Sequence, residues 1–191
     1  MRTSQINRKT KETEISLMLS LDGGKISIST DIGFFDHMLN SFAVHARMGL
    51  VVDIKGDLEV DAHHSVEDCG IVLGKAFNEA LGDKSGINRY GNFFVPMDES
   101  LAFVSVDVSG RPYLVFDADF NGDKVGEFDT CLCEEFFRAF AYNAGITLHI
   151  KLLYGSNAHH QIEAVFKSVA HALAVAVEKN GDEVLSTKGV L

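Results

Sequence analysis

The chain of 191 residues has no tryptophan, two prolines and three cysteines, Cys69, Cys131 and Cys133. An odd cysteine count without a Cys-x-x-Cys pair argues against a disulfide framework and against a cysteine-ligated structural zinc site. Apolar runs long enough to span a membrane are also missing, and the polar stretch after Met1 (RTSQINRKTKETE) is unlike an export signal. We therefore expect a cytoplasmic protein without a membrane partner.

Positive charge is scarce, because 17 Lys and Arg face 27 Asp and Glu, for a net charge of −10. Nucleic-acid phosphates need clustered Lys and Arg, so this balance argues against a nucleic-acid partner. A small anionic substrate needs only a few well-placed cations and remains compatible with it. No stretch has the composition of a flexible linker, and 46% hydrophobic residues are typical of an ordinary globular protein.

Histidine, in contrast, occurs in a repeated pattern, since His-His-x-x-Glu appears twice, 96 positions apart. On a helix the glutamate shares a face with the histidines three and four residues before it. Two adjacent histidines point about 100° apart on a helix, so one cluster does not easily aim all its groups at one ion. Two clusters therefore predict two metal sites. They consist of His63, His64 and Glu67, and of His159, His160 and Glu163.

The sequence around the two clusters also aligns. At the same offset of 96, the segments LVVDIK and ITLHIK superpose, and with a two-residue gap His37 falls on Glu135. Each half then has a third metal-capable residue, about one helix and one strand before its His-His pair. So many matches in one register predict an internal duplication, with halves at residues 1–86 and 87–191 that form one compact unit.

Hydrophobic periodicity predicts strands and helices in both halves. The hairpin partner of the first strand is expected directly after the turn Asp22-Gly23-Gly24. We predict an α+β fold with two ββαββα-type halves, each a small mixed or antiparallel sheet with two helices on one face. The predicted strands are residues 12–21, 25–29, 50–54, 101–108, 113–116 and 146–153, and the predicted helices are 36–46, 66–81, 133–142 and 162–177.

Imidazole together with carboxylate suits a divalent ion such as Zn, Mn or Fe, and several carboxylates favour Mn over Zn. A single His-His-x-x-Glu would also fit hydrogen-bonded histidines, but two copies at equivalent repeat positions favour metal binding. Glu134 and Glu135 also suit the positive end of a helix dipole, so Glu135 has a second explanation. The eight candidate ligands are His37, His63, His64, Glu67, Glu135, His159, His160 and Glu163.

A second set of candidates is cationic. Arg89 in GINRYG and Arg111 in SGRPY stand next to turn residues, and Lys188 lies in the terminal STKGVL. Each is a candidate phosphate ligand, although an isolated Arg or Lys is usually a solvated surface charge. Lys167 lies one helical turn beyond Glu163, which places it near the predicted metals.

Many segments of the chain together resemble imidazoleglycerol-phosphate dehydratase, an enzyme family of histidine biosynthesis. The resemblance implies a duplicated α+β fold, a shell of 24 subunits and two Mn²⁺ per active site, with each site built between subunits. All candidate ligands except Glu135 carry over directly; many relatives have His there and others Glu, which can still ligate. The matching segments are TKET, DGGKISISTDIGFFDHML, DAHHSVEDCGIVLGKA, GINRYG, PMDE, SGRPY, EEFFRAFAYNAGITLHIKLLYG, NAHHQIEAVFKSVAHAL and STKGVL.

The resemblance also implies roles for residues that pattern alone does not single out. It places Glu12 and His45 beside the glycerol chain of the substrate. The implied reaction is the Mn-dependent dehydration of D-erythro-imidazole glycerol phosphate to imidazole acetol phosphate. Two metals would hold the substrate as imidazolate, and hydroxide would leave to give a diazafulvene-like intermediate. Our hypothesis is that Glu12 transfers the proton while His45 orients a hydroxyl or water. The implied phosphate ligands are Arg89, Arg111, Lys167, Ser186 and Lys188.

Two other functions stay open at this point. One is a dinuclear metallohydrolase in which a bridging water attacks the phosphorus of a phosphorylated metabolite. The other is a metal-storage or metal-assembled shell protein, in which the His-His clusters join subunits without chemistry.

Overall fold

Two four-stranded sheets, each with two helices, make up most of residues 1–189, the part of the chain that this computed structural model describes. The first half contains β1 (Thr3–Lys9), β2 (Thr13–Ser20), β3 (Ile26–Ser29), α1 (Gly33–Ala46), β4 (Gly49–Gly56) and α2 (His63–Leu81). The second half contains β5 (Tyr90–Met97), β6 (Ser100–Asp107), β7 (Tyr113–Asp117), β8 (Lys124–Val125), β9 (Phe128–Asp129), α3 (Leu132–Ala144), β10 (Thr147–Tyr154) and α4 (Ala158–Val177).

The two sheets have the same topology. The strand order is β1-β2-β4-β3 in the first half and β5-β6-β10-β7 in the second. In each sheet the last strand of that order pairs in parallel and the other pairs are antiparallel. The side chains of β2 alternate, with Ile15, Leu17 and Leu19 buried, because one face of the sheet meets the helices. The predicted α+β class and the duplication are therefore confirmed.

The element order corrects the prediction, since each half reads βββαβα rather than ββαββα, with the short strands β8 and β9 inserted before α3 in the second half. β3 pairs with β4 and is not the hairpin partner of β2. The physical reason is that β1 and β4 already occupy both edges of β2. β1 escaped prediction because it is polar; only Ser4 is buried on it and Ile6 is half-buried, so the apolar alternation is weak. β5 was also not predicted.

The helices of one half pack against those of the other, α1 against α4 and α2 against α3. At the second contact a Cβ added to Gly70 or Gly74 would lie 2.6 Å from the carbonyl oxygen of Phe136 or Phe140. Four residues along α2, from Gly70 to Gly74, the contact on α3 also moves four residues forward, from Phe136 to Phe140. The two helices α2 and α3 therefore run in the same direction. The first turns of paired helices therefore lie side by side, at one end of the core. No helix within residues 1–189 is long and apolar enough to cross a membrane.

Candidate metal centre and active site

Both His-His pairs lie in the first turn of a helix that follows the last antiparallel strand of its half. α2 begins at His63 and α4 at Ala158, earlier than the predicted 66 and 162. The Asn157 side chain accepts hydrogen bonds from the backbone N–H of His159 at 2.9 Å and of His160 at 3.4 Å. This N-cap starts α4 before its apolar periodicity does, because a side-chain acceptor satisfies amides that the helix cannot.

The best-formed cluster joins the two halves. Ligand atoms of His37, His159 and Glu163 lie within 4.8 Å of one another. Glu163 Oε2 is 3.2 Å from Nε2 of His159 and 3.5 Å from Nε2 of His37. His37 comes from α1 and the other two from α4, so the predicted third ligand joins the cluster of the opposite half. Two imidazoles and a carboxylate facing one point fit a divalent ion such as Mn²⁺ or Zn²⁺.

Lys167 belongs to this cluster. Its ammonium donates a hydrogen bond of 2.6 Å to Oε1 of Glu163, whose side chain is only 8% exposed. Burial raises the pKa of Glu163, but the hydrogen bond and charge of Lys167, with His37 and His159, lower it overall. The carboxylate therefore stays ionised, as a metal ligand must be.

The equivalent cluster of the other half is more open. Nε2 of His63 lies 3.8 Å from Oε2 of Glu67, whose side chain is 45% exposed. The carboxylate of Glu135 accepts hydrogen bonds of 2.7 and 2.8 Å from Nη1 of Arg138, one turn along α3. Among residues 1–189, these side chains do not form a three-ligand group within one chain. The role of Glu135 as a ligand stays a prediction.

The second histidine of each pair faces carboxylates that pattern reasoning did not select. Nδ1 of His64 lies 3.0 and 3.1 Å from the two carboxylate oxygens of Asp57, just after β4. Nδ1 of His160 lies 2.7 Å from Oε2 of Glu99, in the turn between β5 and β6. These hydrogen bonds raise the pKa of each imidazole. The pKa of Glu99 is lowered, first by His160 and then by backbone N–H donors.

The two predicted catalytic residues lie in different places within one chain. Glu12, in the turn between β1 and β2, has Oε1 3.9 Å from Nε2 of His64 and an exposed side chain. His45 lies two turns beyond His37 on α1, and its Nδ1 is 3.0 Å from Nε2 of His171. Burial lowers the pKa of His45, and the charge of Lys167 lowers it further. His45 thus tends to stay neutral, able to donate or accept a hydrogen bond.

Four of the five predicted phosphate ligands line one cavity of about 780 Å³ at the C-terminal end of the described chain. Arg89 is largely buried there, because Asp107 accepts from its Nε at 2.7 Å and the carbonyl of Leu185 accepts from its Nη1 at 2.7 Å. Lys167, the fifth, lies with the metal cluster instead. The four that line the cavity are Arg89, Arg111, Ser186 and Lys188.

The fold and the cluster together define a class, a duplicated α+β protein with a histidine–carboxylate centre between its halves. The sequence model of one family, imidazoleglycerol-phosphate dehydratase, matches residues 30–173. The chain belongs to this family of hydro-lyases.

Relatives match over the whole length. The imidazoleglycerol-phosphate dehydratase of Acetivibrio thermocellus is 59% identical, covering 100% of this chain and 99% of that protein. That of Bacillus thuringiensis is 58% identical, covering 100% of both. The crystal structure of the Staphylococcus aureus enzyme has a TM-score of 0.86 and 44% identity over 93% of this chain and 99% of its own. The crystal structure of the Pyrococcus furiosus enzyme in complex with (S)-C348 has a TM-score of 0.86 and 40% sequence identity, and the match covers 97% of this chain and 100% of that one.

Proposed function

We propose that this chain dehydrates D-erythro-imidazole glycerol phosphate to imidazole acetol phosphate in histidine biosynthesis, with Mn²⁺ as its metal. The observation that carries the proposal is the cluster of His37, His159 and Glu163, in a chain that belongs to the dehydratase family over its full length. The substrate has an imidazole ring that can bind a metal and a phosphate that needs cations. The chain offers groups for both.

The donor set fits the metal. Glu163 is a nearly buried carboxylate with two imidazoles beside it, and neutral imidazole with ionised carboxylate is a donor set that Mn²⁺ accepts. When bound, two such ions supply Lewis acidity that lowers the pKa of the substrate imidazole. The residues that would hold them are His37, His63, His64, Glu67, Glu135, His159, His160 and Glu163.

Glu12 is the proposed acid/base group. Dehydration removes a proton from one carbon and hydroxide from its neighbour, which together leave as water, and the enol that remains becomes the ketone. An exposed carboxylate next to His64 suits this proton transfer, because a base must reach the reacting C–H bond directly or through one water. His45, kept neutral by burial, would orient a substrate hydroxyl or a water.

The cavity around Arg89 is the proposed phosphate site. Asp107 and the Leu185 carbonyl already hold the Arg89 guanidinium, so little side-chain entropy is lost when an anion binds. Arg111 donates to the same Asp107 at 3.2 Å and is mostly exposed. Ser186 and Lys188 close the cavity from the C-terminal segment. Lys167 would contribute its charge from the metal side.

We further propose that active sites form between subunits of a 24-subunit shell. Within one chain, Glu12 with His64 and the cluster around Glu163 form separate groups, so neighbouring copies would complete each site. Exposed aromatic side chains are candidates for contacts between subunits, because protein interfaces are enriched in aromatic residues. They are Tyr90, Phe94, Tyr113, Tyr142 and Tyr154, each more than half exposed.

Incubation with imidazole glycerol phosphate and Mn²⁺ tests the proposal against its alternatives. A ketone product supports dehydration. Free phosphate without ketone would support a dinuclear hydrolase, and assembly without turnover would support a structural shell. Metal content and particle mass, measured before and after chelation, then test the two ions and the shell.

Glu12→Gln tests the proton-transfer role. The amide keeps the shape of the side chain but cannot accept the proton, so we expect turnover to fall by about 10²–10⁴-fold. Substrate binding and particle mass should not change. Glu14→Gln is the matched control, because Glu14 is exposed, lies two residues away and pairs with Lys9 rather than with a histidine. Normal turnover in Glu12→Gln would remove Glu12 from the mechanism.

A further inference from the structure

The second histidine of each His-His pair is hydrogen-bonded through Nδ1, whereas within the described part of the chain its Nε2 comes no closer to a carboxylate than 3.6 Å in His160 and 3.9 Å in His64. Asp57 contacts Nδ1 of His64, and Glu99 contacts Nδ1 of His160. An ionised carboxylate only accepts hydrogen bonds, so Nδ1 must carry the proton in both rings. The Nε2 lone pair then points away from the carboxylate, where it can bind a metal.

We propose that Asp57 and Glu99 are positioning residues that fix the ring orientation and tautomer of His64 and His160 for metal binding through Nε2. The inference rests on the proposed function, in which these histidines are metal ligands. A metal-bound histidine generally donates its other ring N–H to a carboxylate or carbonyl, and loss of that partner weakens metal affinity by about 10–100-fold.

The two halves reach this arrangement with carboxylates from different places. Glu12 and Glu99 are equivalent in the duplicated fold, since each directly precedes the first residue of the second strand, Thr13 or Ser100. Thr13 and Ser100 also face the equivalent glycines Gly56 and Gly155 at the ends of β4 and β10. Yet Glu99 holds its histidine, whereas Glu12 does not.

Glu99 is fully engaged. Its Oε1 accepts from the backbone N–H of Ser156 at 3.0 Å and of Asn157 at 2.8 Å, while Oε2 contacts His160. In the first half Asp57 takes over the contact with Nδ1, so Glu12 lies on the Nε2 side of His64 with its carboxylate uncommitted. This exchange leaves Glu12 available for proton transfer, and it explains why Glu99 is not a second acid/base group.

Glu99→Gln is the decisive variant. The backbone N–H groups of Ser156 and Asn157 keep the amide oxygen in the Oε1 position, so the amide N–H₂ must face His160. An N–H donor there makes Nδ1 the acceptor and puts the ring proton on Nε2, where the metal needs a lone pair. We expect Mn²⁺ to bind about 10–100-fold more weakly at the one of the two metal sites that contains His160.

Asp98→Asn is the charge-matched control. Asp98 lies 3.6 Å from Nε2 of His160 and does not contact Nδ1, so this variant removes the same charge without changing the tautomer. Its effect on Mn²⁺ affinity should be no more than about fivefold, as for an exposed charge pair. An equal loss in Asp98→Asn and Glu99→Gln would show a charge effect and overturn the inference.

Asp57 provides a second, independent pair of variants. Both of its oxygens lie near Nδ1 of His64, so Asp57→Asn can present its amide oxygen and should bind Mn²⁺ better than Asp57→Ala. We expect Asp57→Ala to lose about 10–100-fold in affinity. If Glu99→Gln lowers the melting temperature of the metal-free protein, its weaker Mn²⁺ binding could reflect lost stability. The comparison of Asp57→Asn with Asp57→Ala then tests the positioning role.

Calorimetric titration of Mn²⁺ into chelator-treated, full-length protein measures the Mn²⁺ affinity of each variant. Thermal unfolding without metal shows whether each variant keeps the stability of the wild-type protein. Wild-type affinity in Glu99→Gln and in Asp57→Ala would overturn the inference while leaving the proposed function intact. Failure of the wild-type protein itself to bind Mn²⁺ would instead contradict the proposed metal dependence.

Discussion

The two His-His-x-x-Glu clusters are copies in sequence but differ in burial. The side chain of Glu163 is 8% exposed, whereas that of Glu67, at the equivalent position, is 45% exposed. One turn later, Lys167 donates to Glu163, while the equivalent residue on α2 is Ile71. A nearly buried carboxylate needs a counter-ion, and an exposed one does not, because water solvates it.

The third member of each cluster differs in the same way. His37 lies within reach of Glu163, whereas Glu135 is paired with Arg138. The position equivalent to Arg138 on α1 is Asn40, which has no charge to hold His37 back. The cluster around Glu163 is therefore assembled in the isolated chain. At the cluster around Glu67, Glu135 must leave Arg138 before it can ligate. Both halves keep the His-His-x-x-Glu candidates, but the third candidate changes from His37 to Glu135 and the surroundings of the two clusters differ.

Removal of one carboxylate ligand from either cluster should have the largest effect. Glu163→Gln and Glu67→Gln each take a charged donor from one ion. If Lewis acidity contributes about 4 kcal/mol to the transition state, turnover falls about 10³-fold in each variant. Bound Mn²⁺ should fall from two ions to one per site, measured by metal analysis beside steady-state kinetics. Full activity in either variant would show that its cluster is not catalytic.

Lys167→Met should separate the clusters by stability. It leaves Glu163 buried without its cation, which we expect to lower the free energy of unfolding of the metal-free protein by about 3 kcal/mol. For a chain of this size the melting temperature would fall by about 6–12 °C. Added Mn²⁺ should restore part of the loss, since the ion replaces the missing charge and binds only the folded state.

Lys75→Met is the control for Lys167→Met. Lys75 is exposed on α2, the helix equivalent to α4. Its substitution by Met should change the free energy of unfolding by less than about 0.5 kcal/mol. Thermal unfolding without metal compares the two variants. Equal melting temperatures would mean that Glu163 does not depend on Lys167.

Arg138→Gln should have the smallest effect, and in the opposite direction. The pair with Glu135 is partly exposed, so breaking it costs about 0.2–1 kcal/mol. If Glu135 must leave Arg138 to ligate, its release should strengthen Mn²⁺ binding at the cluster around Glu67 by up to about fivefold. Weaker binding, measured by calorimetric titration, would indicate that Arg138 holds Glu135 in place for the metal.

The helices and the ligand types could be predicted from the sequence because both depend on local spacing. The apolar stripe of α4 and the i,i+4 relation of His159 and Glu163 need only one stretch of chain. β1 could not be predicted, since its pairing with β2 gives order to a polar segment that has little apolar alternation of its own.

Long-range packing also decided the composition of the site. His37 and Glu163 are far apart in the chain, and only the parallel packing of α1 on α4 brings them together. Asp57 and Glu99 read as ordinary turn residues until the fold places them beside His64 and His160. Arg89 likewise reads as a surface charge, although Asp107 and the C-terminal segment hold it in place.

The sequence by itself determined the chemistry of the protein, namely two repeated imidazole–carboxylate clusters, a duplicated α+β fold and the family. Side-chain type and helical periodicity are enough for the clusters and the fold class, while the family follows from the resemblance of many long segments. Only the tertiary structure decided that His37 joins the cluster of the opposite half, that Glu163 is buried against Lys167, and that Glu12 does not hold its histidine as Glu99 does. The physical reason is that burial and hydrogen-bond partners depend on which distant surfaces pack together.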